Sequence, residues 1–339
     1  MNILISGALG YIGSHTIIEL LKDKDISIIA IDNLANSVLE IKDVIEKVSK
    51  RNIEFYNIDL VDFDELDNLF QTKKIDLVIH FAALKSVGES VKKPLEYYNN
   101  NIIGTLNLLT IMKKYNIKRF IFSSSATVYG ESDVMPVHEE LPISVATNPY
   151  GRTKTMIEEI LKDIYISDSS WNIVILRYFN PVGAHNSGLI GELPKGIPNN
   201  IMPYISKVAN GELEYVNIFG NDYNTFDGTG IRDYIHVVDL AKGHIAAMKK
   251  LKGSSGFNIY NLGTGNGYSV LEIIKTFSKV SGKEIKYKFC DRRKGDVGIS
   301  YANSSKAKRE LGWSAEKTLE DMCRDFWRWQ CTGMKFFNK

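Results

Sequence analysis

The sequence predicts an α/β fold with a doubly wound parallel sheet and a smaller α/β lobe toward the C-terminus. Two observations lead to this prediction. Short apolar runs alternate with helical patterns through the first half of the 339-residue chain, which is typical of βαβ units. The first apolar run is followed at once by a glycine-rich turn and a helical segment, the arrangement that opens many nucleotide-binding sheets.

The first strand is predicted at residues 3–5 and the first helix at residues 14–22. The turn between them carries three glycines in a GxxGxxG spacing: Gly7, Gly10 and Gly13. Glycines permit a tight turn and close approach of the backbone to a pyrophosphate, and the helix N-terminus presents free N–H groups to it. A plain strand–helix turn can show the same local pattern, so the glycines alone do not decide the function.

The second predicted strand, residues 27–31, ends at Asp32. A carboxylate at this place can accept a hydrogen bond from the adenosine ribose 2′-hydroxyl and would repel a 2′-phosphate. The two strands together therefore predict a dinucleotide site that prefers NAD over NADP.

The later elements follow the same alternation. Strands are predicted at 53–57, 76–81, 119–122 and 171–178, and helices at 63–70, 94–115 and 149–166. Parallel crossovers are right-handed, so the carboxyl ends of these strands share one edge, where ligands bind.

After residue 180 the pattern changes to long loops at 180–200 and 220–230. A helix at 237–249 and a strand at 257–262 indicate a return to the sheet, and 271–281, 285–289 and 318–330 complete a smaller lobe. We expect an NAD-binding domain over 1–180, rejoined at about 235–263, and a substrate lobe over 181–234 and 264–339.

Composition excludes several classes of function. With 42 basic and 40 acidic residues, the net charge of +2 favours neither nucleic acid nor a membrane surface as a partner. Six histidines without ligand spacing predict no metal site. Three cysteines, no signal-peptide pattern and no long apolar run predict a cytoplasmic protein.

The residues best suited to proton transfer are Tyr150 and Lys154, a YxxxK pair whose side chains would share one helix face. A nearby ammonium favours the phenolate and can bring a tyrosine toward a working pH. Many such pairs are ordinary surface residues. Here Ser125 closes a serine run directly after a predicted strand, where its hydroxyl can share a substrate oxygen with Tyr150.

With its glycine-rich turn and its Ser125, Tyr150 and Lys154, the chain resembles the extended short-chain dehydrogenase/reductase superfamily. Within that superfamily it resembles the UDP-glucose (UDP-galactose) 4-epimerases. Six blocks in one order resemble that family: residues 7–15, 80–90, 122–130, 177–185, 196–204 and 228–237. The resemblance implies that Tyr150 removes the proton of the sugar 4-hydroxyl while a hydride passes to bound NAD. Ser125 would orient the hydroxyl, and Lys154 would contact the nicotinamide ribose. The 4-keto sugar would then turn over and regain the hydride on its other face.

The resemblance also implies the remaining binding residues. Those for NAD are Gly7, Gly10, Tyr11, Ile12, Gly13, Asp32, Asn33, Asn36, Ser37, Asp59, Leu60, Phe81, Ala82, Ala83, Lys85, Asn100, Ser125, Tyr150, Lys154 and Phe179. Those for the UDP-sugar are Asn180, Asn200, Ile201, Asn217, Ile218, Phe219, Arg232, Tyr234, Arg293, Asp296 and Ser300. Arg232 and Arg293 suit a diphosphate because a guanidinium fork matches phosphate oxygens.

Ser300 departs from one subgroup of the family. Members restricted to non-acetylated sugars usually carry a bulky tyrosine there, so a serine implies room for an N-acetyl group beside sugar C2. The resemblance therefore implies turnover of UDP-GlcNAc and UDP-GalNAc as well as UDP-Glc and UDP-Gal. The alternative interpretation is that the serine at position 300 is a neutral substitution that does not change the sugar pocket. Asn217 stands where some relatives have alanine, and its effect is not explained by the sequence.

Three other functions compete with epimerisation. A nucleotide-sugar 4,6-dehydratase needs an acid to expel the C6 hydroxyl, but Ser125, Ala126 and Thr127 supply no carboxylate. A 4-reductase would exchange NAD freely. An inactive NAD-binding scaffold would not need the serine, tyrosine and lysine that the chain retains. The resemblance also implies a homodimer formed through the helices at 94–115 and 149–166.

Overall fold

The computed structural model describes residues 1–143, 146–193, 195, 200–252, 256–293 and 296–337. Residues 196–199 of one epimerase-like block therefore lie outside the described residues. The chain forms two compact units. The first contains Met1–Gly130, Glu139–Tyr178 and Ala241–Tyr260, and the second contains Glu131–His138, Phe179–Leu240 and Asn261–Lys339.

The first unit begins with regular alternation of strands and helices. Its elements are β1 (Asn2–Ser6), α1 (Tyr11–Leu20), β2 (Ser27–Asp32), α2 (Glu40–Ser49), β3 (Glu54–Asn57), α3 (Phe63–Thr72), β4 (Leu77–His80), α4 (Val87–Lys92), α5 (Pro94–Tyr98), α6 (Gly104–Lys114), β5 (Arg119–Ser125), α7 (Pro149–Ser167) and β6 (Asn172–Tyr178).

The remaining elements are β7 (Asn180–Val182), α8 (Ile201–Ala209), β8 (Val216–Phe219), β9 (Ile231–His236), α9 (Val237–Leu251), β10 (Gly256–Leu262), β11 (Gly267–Ser269), α10 (Val270–Ser281), β12 (Tyr287–Cys290), β13 (Ile299–Ser300), α11 (Ser305–Leu311) and α12 (Leu319–Thr332). The helix α9 and the strand β10 each contribute residues to both units. Several elements are not predicted by the sequence pattern: the helices α2, α4, α8 and α11 and the strands β7, β8, β9, β11 and β13.

The predicted doubly wound sheet is confirmed. Within the described residues, seven strands lie in the order β10-β6-β5-β4-β1-β2-β3, and the pairs that join β3 to β6 are parallel. The chain order reverses between β1 and β4, and this reversal opens a crevice at the carboxyl ends of the strands. The central strands read as apolar runs because both faces are covered: Leu77, Val78 and Ile79 are at most 1% exposed.

The predicted helix at 94–115 contains a π turn, Asn99–Ile103, between α5 and α6. Such turns often lie at functional sites. The side chain of Asn101 accounts for this one, because its amide accepts from Leu84 N at 2.8 Å and donates to Leu84 O at 3.1 Å. The helix is therefore tied to the loop that follows β4.

The second unit is built on a small mixed sheet. β9 pairs with β7 and β13 in parallel and with β11 antiparallel, while β8 and β12 form a separate parallel pair. Apolar side chains of α8, α10 and α12 pack in one core, including Met202, Phe277 and Phe326. The predicted loop at 180–200 thus begins with a short strand, because residues 180–182 pair with β9.

Residues 131–138 belong to the second unit, although the sequence analysis placed them within 1–180. The backbone of Val137 explains the difference. Its N–H donates to Tyr301 O at 3.0 Å, and its carbonyl accepts from Asn303 N at 2.8 Å.

Within the described part of the chain, none of the helices has the length and apolar character needed to cross a bilayer.

Candidate active site

The glycine-rich turn after β1 is closely packed. Gly7 has a φ of +67°, and a Cβ there would lie 2.7 Å from Ala82 N. A Cβ at Gly13 would lie 2.3 Å from Gly7 O. α1 begins at Tyr11 without a side-chain cap or an acidic residue in its first turn, so its N-terminus favours an anion. This turn fits the pyrophosphate of the dinucleotide that the sequence predicts.

Asp32, at the end of β2, holds the neighbouring loop in place. One carboxylate oxygen accepts from Leu9 N at 3.0 Å, and the other accepts from Leu34 N at 2.9 Å and from Ser37 Oγ at 2.8 Å. A carboxylate has about four acceptor sites, so capacity remains for a ribose hydroxyl. Asn33 donates to Asp59 at 3.0 Å and links this loop to the end of β3.

The loop after β4 lies against the glycine turn. Phe81 N donates to Ser6 O at 3.0 Å, and Ala82 is the close neighbour of Gly7. Asn101 binds the backbone of Leu84, farther along this loop, and donates to Thr153 Oγ1 at 3.0 Å. Asn101 therefore joins the loop to α7. Asn101 was not among the residues predicted from the sequence, although the Asn-rich run 99–101 within a helical pattern was a signal for it.

Tyr150 and Ser125 meet at the carboxyl edge of the sheet. Ser125 ends β5, and Tyr150 is the second residue of α7, which begins after the Asn148 cap. Burial raises the pKa of Tyr150 above 10.0, and a hydrogen bond with the Ser125 side chain partly offsets that rise. Thr127 Oγ1 donates to Ser125 Oγ at 3.0 Å. The pair can therefore present a hydroxyl and a phenol to one substrate oxygen.

Lys154 lies one helical turn after Tyr150 and is 3% exposed. Its ammonium donates to Ser123 O at 2.7 Å and lies 4.7 Å from the centre of the Phe122 ring. Burial lowers the pKa of Lys154 to about 7, and the charge of Glu158 opposes that shift. The ammonium is therefore held by the Ser123 carbonyl, one helical turn of α7 from Tyr150.

A buried ion pair that was not predicted from the sequence lies behind these residues. Arg177 of β6 donates to the Glu158 carboxylate at 2.6 Å, and both side chains are 2% exposed. Ser124 Oγ donates to the same carboxylate, and Arg177 also donates to Tyr129 Oη at 3.1 Å. The network therefore joins the end of β5, the 3₁₀ turn after it, α7 and β6.

The predicted UDP-sugar residues lie in the second unit. Arg293 donates to Asp296 at 2.9 Å and lies 4.7 Å from the centre of the Phe219 ring. Arg232 pairs in register with Ser300 across β9 and β13. Asn180 pairs with Tyr234 across β7 and β9. The structure thus places Asn180, Arg232, Tyr234 and Ser300 on the paired strands β7, β9 and β13, and Phe219 at the end of β8.

Other predicted residues have separate places in the fold. Asn200 and Ile201 open α8, where Asn200 donates to Glu192 at 2.7 Å. Asn217 faces outward on β8 and accepts from Cys290 Sγ at 3.5 Å. Tyr234 is buried, which raises its pKa to about 12. The others lie in the loops after β2, β3 and β4, in the π turn or just before β7: Asn36, Leu60, Ala83, Lys85, Asn100 and Phe179.

Among the described residues there is no group of three or more His, Cys, Asp or Glu side chains placed to hold a metal ion.

The chain is similar to known proteins over nearly its whole length. A family model described as GDP-mannose 4,6 dehydratase matches residues 4–326. UDP-glucose 4-epimerase of Bacillus subtilis is 54% identical over 334 residues, which are 98% of each chain.

Solved structures give the same result. The UDP-glucose 4-epimerase from Bifidobacterium longum, in complex with NAD⁺ and UDP, has a TM-score of 0.95 and 51% identity, with 98% of this chain and 99% of that chain covered. The UDP-Glc/GlcNAc 4-epimerase from Campylobacter jejuni has a TM-score of 0.84 and 38% identity, with 97% and 99% covered. These similarities, together with the geometry of Ser125, Tyr150 and Lys154, establish that the chain belongs to the UDP-glucose 4-epimerase family of extended short-chain dehydrogenases/reductases.

Proposed function

We propose that this chain is an isomerase, a UDP-hexose 4-epimerase that holds NAD and interconverts UDP-glucose and UDP-galactose. One observation carries the proposal: Ser125 and Tyr150 meet beside Lys154 at the sheet edge that also bears the glycine turn. The identity of 54% to an epimerase over 98% of the chain supports it.

The chain's own residues provide the proton chemistry. Tyr150 Oη takes the proton of the sugar 4-hydroxyl and later returns it to the same oxygen, while Ser125 Oγ orients that oxygen. The positive charge of Lys154 favours the phenolate form of Tyr150. Bound NAD supplies a reversible hydride acceptor for C4, so the reaction has no net change in redox state.

The residues that would hold NAD are those that shape the crevice. The α1 N-terminus and the three glycines suit the pyrophosphate, and Asp32 suits the adenosine ribose. We assign the rest of the dinucleotide to the same predicted set: Tyr11, Ile12, Asn33, Asn36, Ser37, Asp59, Leu60, Phe81, Ala82, Ala83, Lys85, Asn100, Ser125, Tyr150, Lys154 and Phe179.

The UDP-sugar would be held by residues of the second unit. The guanidinium groups of Arg232 and Arg293 suit the diphosphate, and the Phe219 ring beneath Arg293 suits a flat base. The other residues assigned to this ligand are Asn180, Asn200, Ile201, Asn217, Ile218, Tyr234, Asp296 and Ser300.

A dehydratase or a 4-reductase on the same scaffold is less well supported. Elimination of water needs a general acid near the strand end, and the sequence there is Ser125, Ala126, Thr127. The nearby carboxylate of Glu158 is bound to Arg177 and Ser124, so it is not available to a substrate.

The small side chain of Ser300 extends the proposal to N-acetylated sugars. It is half-buried on β13, beside Arg232 of β9. A C. jejuni relative described as a UDP-Glc/GlcNAc 4-epimerase supports this breadth within the family.

Purified protein without added NAD is expected to convert both UDP-galactose and UDP-N-acetylgalactosamine to their C4 epimers, as followed by NMR. Ser300→Tyr should lower kcat/KM for the N-acetylated pair by about 10- to 100-fold, because the added bulk overfills the pocket. Turnover of UDP-galactose should change by less than about threefold, or about 0.65 kcal/mol.

Ser300→Ala, which stays small, is the matched control and should keep both activities. Unchanged N-acetyl turnover in Ser300→Tyr would place the selectivity elsewhere. A wild-type protein that converts neither substrate, with or without NAD, would refute the proposed function.

We also propose a cytoplasmic homodimer. The described cysteines, Cys290, Cys323 and Cys331, are free thiols, which favours a reducing compartment. Helices α4, α5 and α7 expose large apolar side chains, with Val91 62%, Leu95 81% and Met156 47% exposed. Exposed apolar groups concentrated on neighbouring helices favour an interface.

Sedimentation of the wild type at micromolar concentration is expected to give a dimer, and Val91→Glu combined with Leu95→Glu should give a folded monomer, because buried unpaired charge is costly. Phe226→Glu changes an equally exposed side chain of the second unit and should leave the dimer intact. A monomeric wild type would disprove this interface.

A further inference from the structure

Tyr223, in the loop between β8 and β9, has a hydroxyl group that no residue of the described chain satisfies. The side chain is 7% exposed, and its Oη is buried without a hydrogen-bond partner within the ranges that the structure describes. A buried polar group left unpaired costs about 1–3 kcal/mol. Such a group is explained when a bound molecule supplies its partner.

The ring of Tyr223 is fixed in a narrow slot. Gly220, with a φ of +86°, lies so close that a Cβ there would be 2.5 Å from Tyr223 Cε2. On another side, a Cβ at Gly298 would be 3.3 Å from Tyr223 Cδ1. The Arg292 guanidinium lies 4.1 Å from the ring centre. These contacts hold the hydroxyl where it is, away from solvent.

Three arginines and one aspartate act electrostatically on this hydroxyl: Arg232, Arg292, Arg293 and Asp296. Arg292 is paired with Asp222 at 2.7 Å, and Arg293 is paired with Asp296 at 2.9 Å. Arg232 donates to two carbonyls, Ile231 O at 2.9 Å and Gly298 O at 3.4 Å. In the described chain it forms no ion pair with a carboxylate, so one positive charge in this cluster is left without a neutralising anion.

A ligand for this place should be an anion that accepts hydrogen bonds. Burial raises the pKa of Tyr223 above 10.0, so its hydroxyl is protonated and can donate at neutral pH. Arg232 supplies the charge beside it, and both residues contact Gly298. A phosphate group meets these requirements.

We propose that the Tyr223 hydroxyl donates a hydrogen bond to a phosphate oxygen of the nucleotide diphosphate, next to Arg232. This inference rests on the proposed function, because it assumes a nucleoside diphosphate sugar as substrate. Tyr223 was not among the residues predicted from the sequence, and it adds a neutral donor to the arginines expected there.

The test is calorimetric titration of NAD-loaded wild type and Tyr223→Phe with UDP and with uridine. The variant removes the hydroxyl and keeps the ring. The Kd for UDP should rise about tenfold or more, since a hydrogen bond to a charged group contributes about 1.5–3 kcal/mol. The Kd for uridine, which lacks phosphate, should stay within about twofold, or about 0.4 kcal/mol.

The thermal midpoint without nucleotide gives an independent readout. Tyr223→Phe should match or exceed the wild type, because the lost hydroxyl has no partner in the free protein. A clear fall in the midpoint would show an internal partner and overturn the proposal. Tyr215→Phe, which removes a hydroxyl bound to Lys288, is the matched control and should bind UDP normally.

Equal UDP affinity in wild type and Tyr223→Phe would also overturn the proposal, as would an equal loss for uridine and UDP. A wild type that binds no UDP would instead refute the proposed function on which the inference rests. The two failures are therefore distinguishable.

Discussion

Replacing Tyr150 with phenylalanine is expected to lower kcat for UDP-galactose epimerisation by about 10³-fold, within the range that proton transfer by a positioned side chain contributes. The Tyr150 side chain is 8% exposed and its phenol is hydrogen-bonded with Ser125. A phenylalanine ring can occupy the same space without that hydrogen bond. Bound NAD content and the Kd for UDP should be unchanged, which assigns the loss to the chemical step. Steady-state turnover, absorbance of released NAD and UDP calorimetry measure these three quantities.

Tyr165→Phe is the control on the same helix. Its ring is partly buried against Phe257, 5.9 Å between ring centres, and it lies four turns of α7 beyond the site. We expect full activity from this variant. Full activity from Tyr150→Phe with NAD bound would remove Tyr150 from the mechanism, whereas loss of NAD from that variant would show that the lost activity comes from its cofactor contact and not from proton transfer.

The place of Tyr150 could be predicted from the sequence because each step depends on local pattern. A serine run directly after an apolar strand must lie at the carboxyl edge of a parallel sheet. A tyrosine and a lysine four residues apart on a helix share one face. The direction of the Lys154 ammonium could not be predicted in this way, because its partner is a backbone carbonyl, Ser123 O, on another element.

The parts of the fold that were missed have a common cause. The strands β7, β11 and β13 have two or three residues each, too few to show a period, and they form because β9 offers them a partner. Periodicity also gives no sign of a π turn, since Asn101 creates it through a bond to Leu84, seventeen positions away in the chain. Tyr223 was missed for a similar reason, as its slot is made by glycines on two loops.

Arg177→Met is expected to lower the free energy of unfolding by about 3–5 kcal/mol, because it leaves the Glu158 carboxylate buried without its counter-charge. Both side chains are 2% exposed and meet at 2.6 Å. Urea unfolding of the cofactor-free protein measures the change. The double variant Glu158→Met, Arg177→Met removes both charges and should recover most of the lost stability, since an apolar pair of similar volume is often neutral.

The same pair has a consequence for Lys154. Burial lowers the folded-state pKa of Lys154 to about 7 from 10.5, and Glu158 opposes that shift. Between these values the unfolded chain holds a proton that the folded chain has lost, so the free energy of unfolding rises with pH across this window. Without Glu158, the pKa of Lys154 falls further and the rise should begin at a pH below 7.

Unfolding curves of the wild type and the double variant from pH 5.5 to 9 distinguish this effect from simple loss of packing. A packing defect lowers stability equally at each pH, whereas the altered pKa of Lys154 changes the slope. Adding Lys154→Met to the double variant should abolish the part of the pH dependence of the unfolding free energy that this lysine contributes. If the double variant loses as much unfolding free energy as the two single variants added together, the broken ion pair is not the source of the stability lost in Arg177→Met. If its pH slope equals that of the wild type, Glu158 does not control the charge of the lysine beside the catalytic phenol.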